Sequence, residues 1–261
     1  MLILLTNDDG INAEGLRALI DRALAVDGAR ILVVAPDRER SASGHAISIH
    51  QPVEVIEIRS DQKIKMFAAG GTPADCVKLA VEGILEETPD LIISGINRGP
   101  NLGTDVFYSG TVSAALEGAL MGIKSIAVSV GAFENVDYSL AADFAVSFGL
   151  KMLSGQDYPF LVNINVPAVP GESVAGIAIT RLGIQTYRDV FKKRVDPKGR
   201  CWFWLSGSRV EQDEIDDTDV CAIRRNLISV TPLGTDLTDY KGIHQLSLTN
   251  NSYSVIVESE S

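Results

Sequence analysis

The chain opens on an unbroken apolar run, Leu2 to Leu5, closed by Thr6 and followed at once by Asn7, Asp8, Asp9 and Gly10. A short apolar run with abrupt polar punctuation predicts a strand buried on both faces. Over residues 13–26 the period changes. Leu16, Leu19, Ile20, Ala23 and Leu24 recur at helical spacing. A β-branched run over 31–35, closed by Pro36, predicts a second strand, and 53–58 with 64–68 predict a pair of strands. Residues 73–86 predict a helix with Pro73 in its first turn, where proline is tolerated. Further strands are expected over 91–94, 125–130 and 160–166, and further helices over 112–121 and 140–153. Strands separated by helices of this length imply βαβ units and a mostly parallel sheet. Right-handed crossovers then bring the strand-end loops to one edge. The expected fold is α/β, a Rossmann-like three-layer αβα sandwich.

Past Thr180 this rhythm is lost. Basic and aromatic residues concentrate in 181–200, then Trp202-Phe203-Trp204 forms a strand-like patch, and an acidic stretch covers 211–219. Residues 227–230 predict a last strand, ending in Thr231-Pro232-Leu233. The expected division is a catalytic core over 1–180 and an extension over 181–261. The extension would hold β-hairpin arms and the last strand, packing on the core and on a partner subunit. Successive residues of a strand point to opposite sides, so rings at 202, 203 and 204 cannot all bury against one surface. A second subunit would supply the other surface.

The 261 residues, 46% of them hydrophobic, suffice for one large domain with a substantial core. No low-complexity tract argues for disorder, and no apolar stretch reaches membrane-spanning length. The start shows neither a basic n-region nor a cleavage pattern, so no secretory leader is expected. Cys76, Cys201 and Cys221 are odd in number and far apart, which suggests a reduced, cytoplasmic setting. A net charge of −11 argues against a protein that coats nucleic acid, which needs a basic face. It leaves room for a small anion held by a metal ion or a helix N-terminus.

Asp8 and Asp9 fall where the first strand meets the first helix, the ligand-binding edge of an open α/β sheet. Adjacent carboxylates there repel unless a cation lies between them. The same residues also serve as ordinary turn and cap formers. Three later loops share the expected edge. The first, 35–44, carries the Ser41 hydroxyl and reads as a ligand loop or a solvated one. The second, 94–104, spaces Gly95, Gly99 and Gly103 with Asn97 and Asn101, allowing close backbone approach to a ligand or simply tight turns. The third, Tyr108-Ser109-Gly110-Thr111, precedes a helix and is a cap or an anion site. An all-oxygen set of Asp8, Asp9, a serine and an asparagine suits Mg²⁺ or Mn²⁺ better than zinc. Arg38, Arg40 and Arg98 are either anion guides or solvated charges. His45, His50 and His244 lack metal-ligand spacing and read as surface or packing residues. The chain has no P-loop, no Gly-x-Gly-x-x-Gly, no Cys-x5-Arg loop and no Gly-x-Ser-x-Gly elbow. Its aspartates after the first strand are adjacent, not spaced Asp-x-Asp.

The ordered set of motifs resembles the SurE survival-protein family. It comprises Asn7-Asp8-Asp9-Gly10, Ala35-Pro36-Asp37 with Ser41, Ser94-Gly95-Ile96-Asn97-x-Gly99-x-Asn101-x-Gly103, and Tyr108-Ser109-Gly110-Thr111-Val112-x-Ala114-Ala115-x-Glu117-Gly118. Looser matches continue through 70–77 and 231–238. The resemblance implies a metal-dependent nucleotidase and acid phosphatase acting on nucleoside 5′- and 3′-monophosphates. It implies metal ligation by Asp8, Asp9, Ser41 and Asn97, with Asp8 and Asp9 catalytic. It puts substrate phosphate near Asn97, Asn101, Ser109, Gly110 and Thr111. It also implies one divalent ion per subunit and a homodimer or homotetramer built through C-terminal arms. Two other classes stay open: a glycosyltransferase-like enzyme using the aspartate pair, and a metal- and nucleotide-binding module without turnover.

Overall fold

Residues 1–155, 160–188, 191–210 and 215–249 are described by a computed structural model of the chain. The acidic residues 211–214 and the terminal 250–261 lie outside them. The first half runs β1 (Leu2–Thr6), α1 (Glu14–Leu24), β2 (Arg30–Pro36), β3 (Val55–Ser60), β4 (Ile64–Ala69) and α2 (Pro73–Leu79). β5 (Leu91–Arg98), α3 (Gly110–Leu120), β6 (Lys124–Val130), α4 (Ser139–Ser154), β7 (Leu161–Val166) and β8 (Gly176–Ile179) follow. Last come β9 (Tyr187–Arg188), β10 (Phe191–Val195), β11 (Cys201–Leu205), β12 (Ser208–Arg209), α5 (Asp219–Arg224), β13 (Leu227–Pro232) and α6 (Tyr240–Thr249).

Among the described residues, nine strands make one sheet in the order β3-β4-β2-β1-β5-β6-β7-β13-β8. The six from β4 to β7 are parallel; β3 runs against β4, and β13 against β7. β1 explains the unbroken apolar run. Ile3 and Leu5 pack with Leu16 and Leu19 of α1 and Ala141 and Ala145 of α4, while Leu2 and Leu4 pack with Cys76 and Val77 of α2 and Ala114 of α3. Alternate residues of one strand thus feed two cores, and the result is the expected three-layer sandwich.

The structure departs from the pattern-based reading in four places. The helix expected over 73–86 is α-helical only to Leu79 and continues as a π-helical turn, Ala80–Ile84. The strand expected to stop at Ser94 runs on to Arg98 after a register shift between Ser94 and Asn97. Gly95 makes this irregularity feasible. Its φ is +141°, and a Cβ there would lie 2.3 Å from the Val128 carbonyl oxygen. The short elements β8 and α5 were too brief for a periodicity to register, and the amphipathic α6 lay beyond the segments assigned from pattern. Finally, β13 inserts between β7 and β8 in the central sheet. It extends two residues beyond the predicted 227–230.

Candidate active site

The carboxyl ends of β1, β2 and β5 and the N-terminus of α3 converge on a cavity of about 390 Å³. Its wall includes Asp8, Asp9, Ser41, Asn97, Asn101 and Ser109, so the structure brings together six of the eight residues expected from sequence. The other two, Gly110 and Thr111, stand directly behind Asp8.

The first loop is locked from within. Asn7 is fully buried; its Nδ2 donates to the Gly10 carbonyl at 3.0 Å and its Oδ1 accepts from the Gly10 amide at 3.2 Å. The side chain of Asn7 thus closes a local turn, leaving Asp8 and Asp9 to project from it. The second loop is stitched to the first by the Arg40 amide, which donates to the Asp8 carbonyl at 2.7 Å.

Asp8 is 5% exposed. The Thr111 hydroxyl donates to its Oδ1, and the Thr111 amide adds a weaker interaction. Burial nevertheless dominates and pushes its carboxyl up to about 6, helped by the charge of Asp9 and opposed by the hydrogen bonds from Thr111. Burial raises the Asp9 carboxyl as well. Against that, the Arg98 amide, 3.2 Å from Asp9 Oδ2, lowers it; the Glu39 charge raises it and the Arg98 charge lowers it. These are carboxylates short of positive charge.

Gly110 is glycine for a spatial reason. A Cβ there would sit 2.8 Å from Asp8 Cβ and 2.9 Å from both Asp8 Oδ2 and Ser43 Oγ. The start of α3 can approach Asp8 only because no side chain intervenes. Ser109 caps the helix, its Oγ accepting from the Val112 amide at 3.1 Å. Thr111 serves Asp8.

The serine loop holds a surprise. Ser41 is exposed and donates to Glu39 Oε1 at 2.6 Å. Two residues on, Ser43 has a buried hydroxyl with no hydrogen-bond partner, on the Asp8 and Gly110 side of the loop. Sequence reasoning missed Ser43, though its signal was there: the hydroxyls alternate in Ser41-Ala42-Ser43. Asn97 Nδ2 donates to the Gly99 carbonyl at 2.8 Å, which leaves Oδ1 as its lone-pair donor.

Asn101 is committed elsewhere. Its backbone amide donates to Asn165 Oδ1 at 2.8 Å, and its Nδ2 donates to Ser129 Oγ at 2.8 Å. Its carbonyl accepts from Nδ2 of Asn163 and of Asn165. Asn163 and Asn165 alternate with Val162 and Ile164 in β7, and that polar period was the overlooked signal. A second overlooked residue is Asp219, fully buried at the start of α5. Its two oxygens accept from the amides of Gly103 and Gly183, each at 2.8 Å, fastening the glycine loop to the segment that leads into the C-terminal strands. Burial raises its carboxyl, and the amides of Gly103, Gly183 and Val220 counter the rise.

The flanking polar residues resolve as well. His45 Nε2 meets Glu117 Oε2 at 2.7 Å, a packing role on the side of α3. Arg38 and Arg40 pair with Asp37 at 3.8 and 3.3 Å, and Arg40 also donates to the Gly70 carbonyl. Arg98 lines the cavity. Among the described residues, no group of three or more His, Cys, Asp and Glu side chains gathers for a metal. Nor is any helix among them long and apolar enough to cross a membrane.

Comparison with known proteins matches this arrangement to one family. The family model described as Survival protein SurE matches residues 3–189. The 5′-nucleotidase SurE of Thermosynechococcus vestitus is 50% identical over 255 residues, covering 95% of this chain and 96% of that protein. The 5′-nucleotidase SurE of Natranaerobius thermophilus is 46% identical over 254 residues, covering 95% and 98%. The crystal structure of the SurE protein from Aquifex aeolicus superposes with a TM-score of 0.82 at 38% identity, covering 95% of this chain and 99% of that one. The motif loops, the sheet they hang from and nearly the full length of the relatives agree, and the chain belongs to the SurE survival-protein family.

Proposed function

We propose that this chain is a metal-dependent 5′-nucleotidase, a phosphoric monoester hydrolase that splits nucleoside monophosphates into nucleoside and inorganic phosphate. One observation carries the reading: Asp8 is buried beside Asp9, at the open edge of a parallel sheet, with an ordinary carboxylate's charge left uncompensated. The names of the relatives support the same activity and do not favour the glycosyltransferase-like or binding-only alternatives. Activity on nucleoside 3′-monophosphates is the finer part of the proposal.

The donor set fits one divalent ion per subunit, Mg²⁺ or Mn²⁺. Two carboxylates, the Asn97 carbonyl oxygen and a serine hydroxyl are all hard oxygens, too few for a closed all-protein cage. Such a site suits an ion that keeps some water. Ser41 was the serine expected here; the unpartnered Ser43 hydroxyl beside Asp8 makes Ser43 an equal contender. When bound, the ion would polarise a phosphoryl oxygen and make water acidic enough to attack at neutral pH.

The protein groups do the rest. Asp8, clamped by Thr111, is a rigid ligand. Asp9 is less buried and, among the described residues, accepts only from the Arg98 amide, so it has lone pairs left to take the proton of the attacking water. Ser109 holds the first turn of α3 so that the Gly110 amide meets the negative charge that grows on the phosphoryl oxygens. Asn101 shapes the floor by holding the loop rather than by touching phosphate.

The proposal extends to assembly. The β10–β11 hairpin pairs Trp202 with Arg194 and Trp204 with Lys192 on one face, and Phe203 with Lys193 and Leu205 with Phe191 on the other. All ten residues are exposed. This supports a homodimer or homotetramer through arms of the 181–261 extension, and the wide spacing of the cysteines supports a cytoplasmic setting.

The test is phosphate release from a panel of monoesters by chelator-stripped protein, with each divalent metal restored in turn. Fast release from AMP or GMP that depends on added metal is expected. A dinucleotide or cyclic nucleotide cleaved as fast as AMP would overturn the monoesterase reading.

A further inference from the structure

Among the described residues, four carboxylates, Asp8, Asp9, Glu39 and Asp105, line the cavity, and Arg98 is its one basic residue. A second cavity of about 470 Å³ lies alongside, walled by Glu14, Glu134 and Tyr138 among others. Arg98 and Phe133 line both cavities, so the two share a wall.

The main chain of Arg98 is fixed. It is the last residue of β5, in register with Val130, and its amide is held by Asp9 Oδ2. Its side chain acts on Asp9 and Tyr138 through its charge alone. Among the described residues it forms no ion pair and no hydrogen bond, whereas the neighbouring Arg38 and Arg40 are both tied to Asp37. A guanidinium whose Cα is anchored beside the aspartate pair, and whose head is left unpaired in an acidic cavity, is arranged for an incoming anion. Its planar fork matches two oxygens of one phosphate, which a lysine's point charge does not. The acidic wall makes the requirement sharper. A dianion entering past four carboxylates is repelled unless a cation meets it.

We propose that Arg98 is a substrate-binding, specificity-determining residue: its guanidinium holds phosphate oxygens on the side away from Asp8 and Asp9, with the ester group directed into the second cavity past Phe133. Arg38 and Arg40, spent on Asp37, do not share this role. The proposal rests on the phosphomonoesterase reading for its substrate, while its first test, binding of inorganic phosphate, does not need turnover.

Titrate inorganic phosphate into Mn²⁺-loaded protein by calorimetry, for the wild type and for Arg98→Ala, Arg98→Lys and Arg38→Ala. Measure KM and kcat for AMP on the same four proteins. Losing charge-assisted hydrogen bonds should weaken phosphate binding and raise KM about tenfold or more in Arg98→Ala. There kcat should stay within about threefold, because ground state and transition state lose the same contacts. Arg98→Lys should recover part of the affinity, and Arg38→Ala should match the wild type. Phosphate affinity within about twofold of the wild type in Arg98→Ala overturns the proposal, and so does a loss confined to kcat. Weakened phosphate binding in Arg98→Ala, together with a wild type inert on every monoester, would uphold the Arg98 assignment and sink the hydrolytic reading instead.

Discussion

At the Asp8–Asp9 edge, polar side chains are buried; along the β10–β11 hairpin, large apolar side chains are exposed. Both reverse the usual distribution. At the first, the chain itself meets most of the demand. Thr111 serves Asp8, Asn7 serves its own turn, and Asp219 serves Gly103 and Gly183. What stays unmet is positive charge, which the proposed divalent ion would supply. At the hairpin the chain meets almost none of the demand. Trp204 is 65% exposed and Leu205 72%, and no core cluster includes them. One region leaves carboxylate charge uncompensated, the other leaves apolar surface uncovered.

The comparison breaks first at Asp9. Asp9→Asn should lower turnover on AMP by on the order of 10³-fold while circular dichroism stays unchanged, since a sheet-edge loop carboxylate adds little to the core. Wild-type rates in both Asp9→Asn and Asp8→Asn would remove the site from this edge.

Asp219 sharpens the contrast by showing a buried carboxylate that the chain satisfies unaided. Asp219→Ala strands the amides of Gly103 and Gly183 in the interior and should destabilise the protein by about 3 to 4 kcal/mol. A urea midpoint indistinguishable from the wild type would refute that account. The same contact sets a limit on trimming: a deletion meant to remove the arm should spare Asp219, and so should be confined to 191–205.

Asp8 should behave in the opposite way. Its folded-state value of about 6 lies above the ordinary 3.8, so the folded protein binds that proton more tightly than the unfolded chain does. Ionising Asp8 therefore costs stability: nothing below about pH 3.8, and about 3 kcal/mol once the pH has risen through about 6, by the usual 1.4 kcal/mol per unit. In chelator-stripped protein, Asp8→Asn should raise the melting temperature at pH 8 and leave it unchanged at pH 3.5. Adding Mn²⁺ at pH 8 should stabilise the wild type and not the variant. Equal melting of both proteins at both pH values, with and without Mn²⁺, would remove the charge argument.

The smallest folding effect belongs to the hairpin. Trp202→Ser with Trp204→Ser should change the stability of the isolated fold by only about 0.5 kcal/mol per site, because neither ring is buried within the chain. Its effect should fall on assembly, which light scattering reads directly. A wild type that is a clean 28.0 kDa monomer at micromolar concentration would reject the arm.

Much of the core was legible because its strands are buried on both faces. Leu2–Thr6 and Ser125–Val130 announce themselves as apolar runs, and Leu16, Leu19 and Ile20 keep strict helical period. The edge was legible for a related reason: Asp8-Asp9 follow β1, Asn97 lies at the carboxyl end of β5 and Ser109 caps α3, all at one end of the parallel strands. The extension of β5 to Arg98 was not legible, because Gly95 reads as a breaker and only the close approach of Val128 explains it. That the Ser43 hydroxyl is buried near Asp8 while Ser41 bonds Glu39, and that Asn101 bonds Ser129, was not legible either. Two hydroxyls two residues apart are chemically identical in sequence, and only the path of the loop tells which is buried.

By itself, then, the order of apolar and polar residues determined a three-layer fold with a mostly parallel sheet and the edge at which its polar loops gather. Period and punctuation are local properties, and burial on two faces leaves a local mark. Tertiary structure alone decided that β13 enters the sheet between β7 and β8, that Asp219 reaches back across the fold to Gly103, and that Arg98 keeps its charge unspent while Arg38 and Arg40 do not. Each of these depends on a partner far away in the chain or on the exact reach of a side chain. No local pattern encodes the distance between two groups that meet only when the whole sheet has closed around them.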